Sequence, residues 1–134
     1  MTISFQKTVP IFRIFDVAKA REFYVGFLGF AVDWEHHFDE GSPAYIQVTR
    51  GDLTLHLSEH HGDCCPGSTV FVWMEGIEDF HREITSKGYG FMRPGIEETF
   101  YGSNSVQVID PFGNRIRSNE RAGQNGPSSL TEPR

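Results

Sequence analysis

Tyr45-Ile46-Gln47-Val48 runs through Arg50-Gly51-Asp52 into Leu53-Thr54-Leu55-His56-Leu57, and Val106-Gln107-Val108 runs through Asp110-Pro111-Phe112-Gly113-Asn114 into Arg115-Ile116-Arg117. Each stretch alternates apolar and polar residues on both sides of a turn built from Gly, Asp, Pro or Asn, which is the pattern of a β-hairpin. The two are also related to each other. Ile46, Gln47 and Val48 stand 60 residues before Val106, Gln107 and Val108, and further out Val17 and Ala20 stand 60 residues before Ile77 and Phe80. Five matches at one offset, in two different elements, indicate an internal duplication.

The flanking sequence completes two copies of one unit. Asp16 is a good helix N-cap, Val17, Ala20, Tyr24, Phe27 and Leu28 fall on one helical face, and Gly29 is a C-terminal stop. In the second copy Ile77, Phe80 and Ile84 mark the apolar face, Glu78 and Asp79 occupy the first turn, and Lys87-Gly88 closes the helix. Strands rich in β-branched and aromatic residues precede each helix, at Thr8 to Phe15 and at Thr69 to Met74. The expected fold is α+β: two βαβββ modules, about 7–61 and 68–120, within one domain spanning 1–121, their curved mixed sheets enclosing a cleft. Residues 122–134, rich in Gly, Pro, Gln, Asn and Ser, are expected to form a flexible tail.

Composition limits the function. With 134 residues and 38% of them hydrophobic, a core of ordinary size is available, so stability requires neither a disulfide nor a structural metal. Cys64 and Cys65 are adjacent, where a mutual disulfide is strained, and read as a reduced pair in a loop. The net charge of −6 and the lack of a basic run argue against nucleic acid; such a charge favours a cationic ligand, although at this modest size it is more often a solubility feature alone. The N-terminus lacks a basic start and a long apolar run, and no stretch approaches a membrane span, so a cytoplasmic protein is expected.

Strand alternation nominates the ligand-facing side chains. If Phe12 and Ile14 pack on the helix, Val9, Ile11 and Arg13 face the cleft. Likewise Thr69, Phe71 and Trp73 oppose Val70, Val72 and Met74, His56 opposes Leu55 and Leu57, and Arg117 opposes Ile116. The result is an aromatic floor of Phe71 and Trp73 with His56 and Arg117 as polar handles, suited to a flat, partly apolar ligand. The same rings would serve equally as a second core or a subunit interface. No nucleophile with a local base and no phosphate-binding loop is evident.

The Glu22-Phe23-Tyr24 and Leu28-Gly29-Phe30 segment, Arg50-Gly51-Asp52-Leu53, and the Asp110-Pro111-Phe112-Gly113-Asn114 turn occur in one order over roughly residues 7–120. On these marks the chain resembles the vicinal oxygen chelate superfamily, which includes glyoxalase I and the bleomycin resistance proteins. Enzymes of that superfamily typically hold a divalent metal with side chains of the first, fourth, fifth and eighth strands. The resemblance puts those positions at Val9, His56, Thr69 and Arg117, of which only His56 is a good ligand; no metal and no cofactor is therefore expected.

Bleomycin resistance proteins lack the metal site and act by sequestration, a dimer binding the drug in clefts between subunits. Arg50-Gly51-Asp52-Leu53, Tyr101-Gly102 and Arg117-Ser118-Asn119-Glu120 resemble that branch. The resemblance implies a homodimer that binds a bleomycin-like, cationic and partly aromatic molecule. Its expected contacts are His56, Phe71, Trp73 and Arg117, with Trp34, Phe38 and Tyr101 from loops. The competing expectation is a glyoxalase-like or dioxygenase-like metal enzyme with a rearranged site of His56, Glu59 and either His60 or His61.

Overall fold

The computed structural model describes residues 2–90 and 92–122. The tail expected at 122–134 lies, beyond Ala122, outside the described residues. The chain folds into two compact units, with the division between Pro66 and Gly67.

The first unit contains β1 (Ile11–Arg13), α1 (Val17–Arg21) continuing into a π-helical segment (Glu22–Phe27), β2 (Ala31–His37), β3 (Ala44–Arg50) and β4 (Leu53–Ser58). The second contains β5 (Thr69–Trp73), α2 (Ile77–Ser86), β6 (Ile96–Glu98), β7 (Ser103–Ile109) and β8 (Arg115–Arg121). The sheets have equivalent orders, β1-β4-β3-β2 and β5-β8-β7-β6. In each, the first strand pairs in parallel with the last and the remaining pairs are antiparallel. This is the α+β architecture of two βαβββ modules. Among the described residues no helix is long and apolar enough to cross a membrane.

The 60-residue offset is a property of register. Gln47 lies opposite His56, and Gln107 lies opposite Arg117. Ile11 is in register with His56, and Phe71 with Arg117. The last strand is offset by 61 instead, because five residues, Asp110 to Asn114, separate the facing pair Ile109 and Arg115, whereas four, Arg50 to Leu53, separate the equivalent pair Thr49 and Thr54.

The apolar side of each sheet forms the core. Phe12, Ile14, Ile46, Val48, Leu55 and Leu57 are buried in the first unit, and Val106, Val108 and Ile116 in the second. Each such side chain contributes about 1.5–3 kcal/mol on leaving water. Asp16 caps α1 by accepting the Lys19 N–H, and the chain leaves the helical region through Gly29, whose φ of 77° is costly for any residue with a Cβ. Leu28 donates to the Phe23 carbonyl five residues back, the bond that defines a π turn. Phe23 is buried beside Ala20, Tyr24 and Phe27, whereas Val17 is only half-buried.

The expected first strand shortens to Ile11–Arg13: Pro10 has no N–H to donate, although its carbonyl still accepts from His56. Helix α2 starts at Gly76, which has no capping side chain; the Ile77 N–H instead donates to the Glu120 carboxylate of β8 at 2.7 Å. An acid at that position also opposes the helix dipole favourably.

Asn114 joins the second hairpin to the start of β5. Its Oδ1 accepts the Gly67 and Ser68 N–H groups and its Nδ2 donates to Asp110, while Asp110 accepts from the Phe112 and Asn114 amides. Asn114 is buried, so Asn114→Ala leaves several polar groups without partners and is expected to cost about 2–3 kcal/mol. A fall in the urea midpoint at constant m-value checks this; an unchanged midpoint would refute it.

Candidate functional site

In the first unit, β4 directs Leu55 and Leu57 into the core and His56 to the opposite face. Both ring nitrogens of His56 are engaged: Nε2 with Gln47 Oε1 at 2.9 Å and Nδ1 with the Tyr45 hydroxyl at 2.8 Å. Because an amide oxygen only accepts, His56 donates from Nε2, and Nδ1 accepts the Tyr45 O–H. Burial disfavours the imidazolium and pushes the His56 pKa down, as it pushes the Tyr45 phenol up.

The row continues into β2. A bulge between Val32 and Trp34 lets both Asp33 and Trp34 reach this face. Asp33 accepts from Thr49 and Gln47, and those hydrogen bonds hold its carboxyl below the usual range. Trp34 stacks on Tyr45 at 6.0 Å between centroids and lies 5.5 Å from His56. Trp34, expected in a loop, is thus a strand residue, and Phe38 directly follows the end of that strand. Phe38 meets His36 and His60 edge-on. Trp34, His36, Phe38, Tyr45, His60 and Asp63 line an open hollow of about 390 Å³, where Asp63 accepts from Ser58 at 2.6 Å.

In the second unit, Phe71 and Trp73 project from β5 and are 44% and 47% exposed, so they do not fill a core within this unit. They meet edge-on at 4.9 Å, and Tyr101 lies 6.3 Å from Phe71. Arg117 Nε donates to Gln107 Oε1 at 2.9 Å, the counterpart of the His56 to Gln47 contact. The Arg121 guanidinium lies 4.0 Å over the Trp73 ring.

The sequence-derived contacts therefore form two groups, Trp34, Phe38 and His56 in one unit and Phe71, Trp73, Tyr101 and Arg117 in the other. Sequence reasoning missed Tyr45, Asp63 and Arg121 as site residues. Alternation from Gln47 would have reached Tyr45 and from Arg117 would have reached Arg121, but Asp63 carries no local signal.

The metal implied by the resemblance does not fit these residues. Val9 has no donor, Thr69 is a poor ligand, Arg117 is a fixed cation, and His56 has both nitrogens engaged. The rearranged alternative is not assembled either: Glu59 accepts the Ala44 N–H, and no cluster of three or more His, Cys, Asp or Glu suited to a metal occurs among the described residues.

Histidine titration offers a direct check. His37 bonds Glu35 and the Ser42 carbonyl, and these contacts raise its pKa. In an NMR titration the His56 ring is expected to protonate below the ordinary 6.5 and the His37 ring above it. The depressed His56 contributes stability that is full above 6.5 and is lost as pH falls through its folded pKa. A His56 midpoint at or above 6.5 would contradict this environment.

Residues 1–125 match the family model described as glyoxalase superfamily protein. No curated protein matches the chain. Among solved structures, a bleomycin-binding protein complexed with bleomycin is 22% identical, with a TM-score of 0.68, covering 87% of this chain and 99% of that one. A glyoxalase-related enzyme from Clostridium phytofermentans is 18% identical, with a TM-score of 0.69, covering 89% and 97%. An antibiotic binding protein from Streptomyces sp. CB03234 is 22% identical, with a TM-score of 0.65, covering 91% and 99%. These likenesses show a shared fold, and with the family match they establish that the chain belongs to the glyoxalase superfamily, the vicinal oxygen chelate superfamily.

Proposed function

We propose that the protein sequesters a cationic, partly aromatic small molecule of the bleomycin kind, without metal-dependent catalysis, as a cytoplasmic homodimer. The observation that carries this reading is the hollow of the first unit, which is lined by the aromatic side chains of Trp34, Phe38 and Tyr45 together with Asp63. Aromatic faces attract a planar cation, and a carboxylate beside them adds a charge partner. The net charge of −6 favours approach of such a ligand. The metal positions at Val9, Thr69 and Arg117 support binding over metal chemistry, and a bleomycin-binding protein has the same fold.

Trp34, Phe38 and His56 are the proposed contacts in the first unit, and Phe71, Trp73, Tyr101 and Arg117 in the second. Calorimetric titration with metal-free and copper-loaded bleomycin is expected to give saturable heat, and the protein is expected to protect DNA from cleavage by the drug. Trp34→Ala is expected to weaken binding about tenfold, the scale of a lost stacking and cation–π contact. Absence of both heat and protection would remove the drug assignment; an unchanged affinity in Trp34→Ala would remove the hollow.

A further inference from the structure

On the second unit the outward face has the opposite electrostatic character. Arg115, Arg117 and Arg121 occupy alternate positions of β8, so three of the chain's 12 basic residues share one face of one strand. Their neighbours on β5 are Thr69, Phe71 and Trp73, paired in register with Arg115, Arg117 and Asn119. Arg117 is held through Nε by Gln107 Oε1, which leaves both terminal nitrogens of the guanidinium able to donate. Arg121 lies over Trp73, with the edge of its plane available for hydrogen bonds. Among the described residues no carboxylate forms an ion pair with any of the three. On this face the acid nearest in register is Glu97 of β6, opposite Ser105, two strands from β8 and so about 10 Å away, while at the end of β8 Arg121 also borders a hollow lined by Glu78, Asp79 and Glu120.

We propose that this face binds the carboxylate of a planar aromatic acid, with its ring against Phe71 and Trp73 and its oxygens on Arg117 and Arg121. The inference rests on the reading of the outward sheet faces as ligand-binding and narrows it for the second unit: Phe71, Trp73 and Arg117 take an anionic aromatic group, whether a separate acid or part of a larger ligand, whereas the cationic group is taken by the hollow of the first unit. Planar guanidinium groups match carboxylate oxygens in geometry and charge, and exposed rings beside them supply the apolar contact that a free inorganic anion would not use. The rings and arginines lie on one strand pair, β5 and β8, of the four-stranded sheet, a span that suits a small molecule better than a polymer.

The test uses the full chain, naphthalene-2-carboxylate as probe and 2-naphthylmethylammonium as its charge-reversed counterpart, with the indole N–H resonances of Trp34 and Trp73 assigned from Trp34→Phe and Trp73→Phe. The acid is expected to shift the Trp73 resonance saturably, and more tightly than the ammonium compound does. Arg117→Gln and Arg121→Gln are each expected to weaken it about tenfold, the scale of one lost charge-assisted hydrogen bond. Unaltered thermal melting of both variants would exclude loss of fold as the cause. An ammonium compound that shifts Trp73 equally well, or an affinity indifferent to both substitutions, would overturn the inference, as would a short oligothymidylate that binds Trp73 more tightly than the acid. Bleomycin titrated into the same samples separates the two readings: no bleomycin binding with the acid effect retained removes the drug and leaves the anion site supported.

Discussion

The parallel pairing of the first strand of each module with its last is the constraint on which the architecture depends. Without it, each half would be a hairpin and an edge strand beside a detached helix. With it, β1 is fixed against β4 and β5 against β8, and each intervening helix is returned across one side of its sheet. That pairing determines which side chains lie side by side on the other surface. Ile11 is set beside His56 and Phe71 beside Arg117, so the chemistry of each face follows from register.

Both faces use one device, a glutamine opposite the central polar residue. Gln47 accepts from His56, and Gln107 accepts from Arg117. An amide oxygen accepts equally well from an imidazole or a guanidinium, so the same frame tolerates both residues. In each case the amide orients the polar group without neutralising it, unlike a carboxylate partner. The surroundings then diverge. Tyr45 and Trp34 enclose a neutral, half-buried ring in one unit, whereas exposed rings flank an open guanidinium in the other.

The central hairpins were legible in the sequence because one side of each is buried: Leu55-His56-Leu57 has its apolar residues in core and its polar residue outside, as its alternation says. Edge strands lacked that signal. In β2, the bulge at Val32 to Trp34 breaks the alternation and most of the strand is exposed, so Trp34 read as a loop residue. In β6, Ile96–Glu98 is exposed throughout and two of its three residues are acids, which leaves no buried face to detect. The Glu120 contact to the start of α2 spans 43 residues, and Asp63 enters the hollow through loop geometry; neither has a local pattern. Position on a face was thus readable, and the partners across strands were not.

The duplication separates inheritance of shape from inheritance of charge. His56 and Arg117 stand on the outer side of strands whose inner residues carry the packing, so a change at either position alters the polarity of one half while the cores behind remain intact. Each half is in this sense an independently editable copy of one template. Single substitutions at these positions can reverse the polarity of an outer face while the packing behind it is left in place.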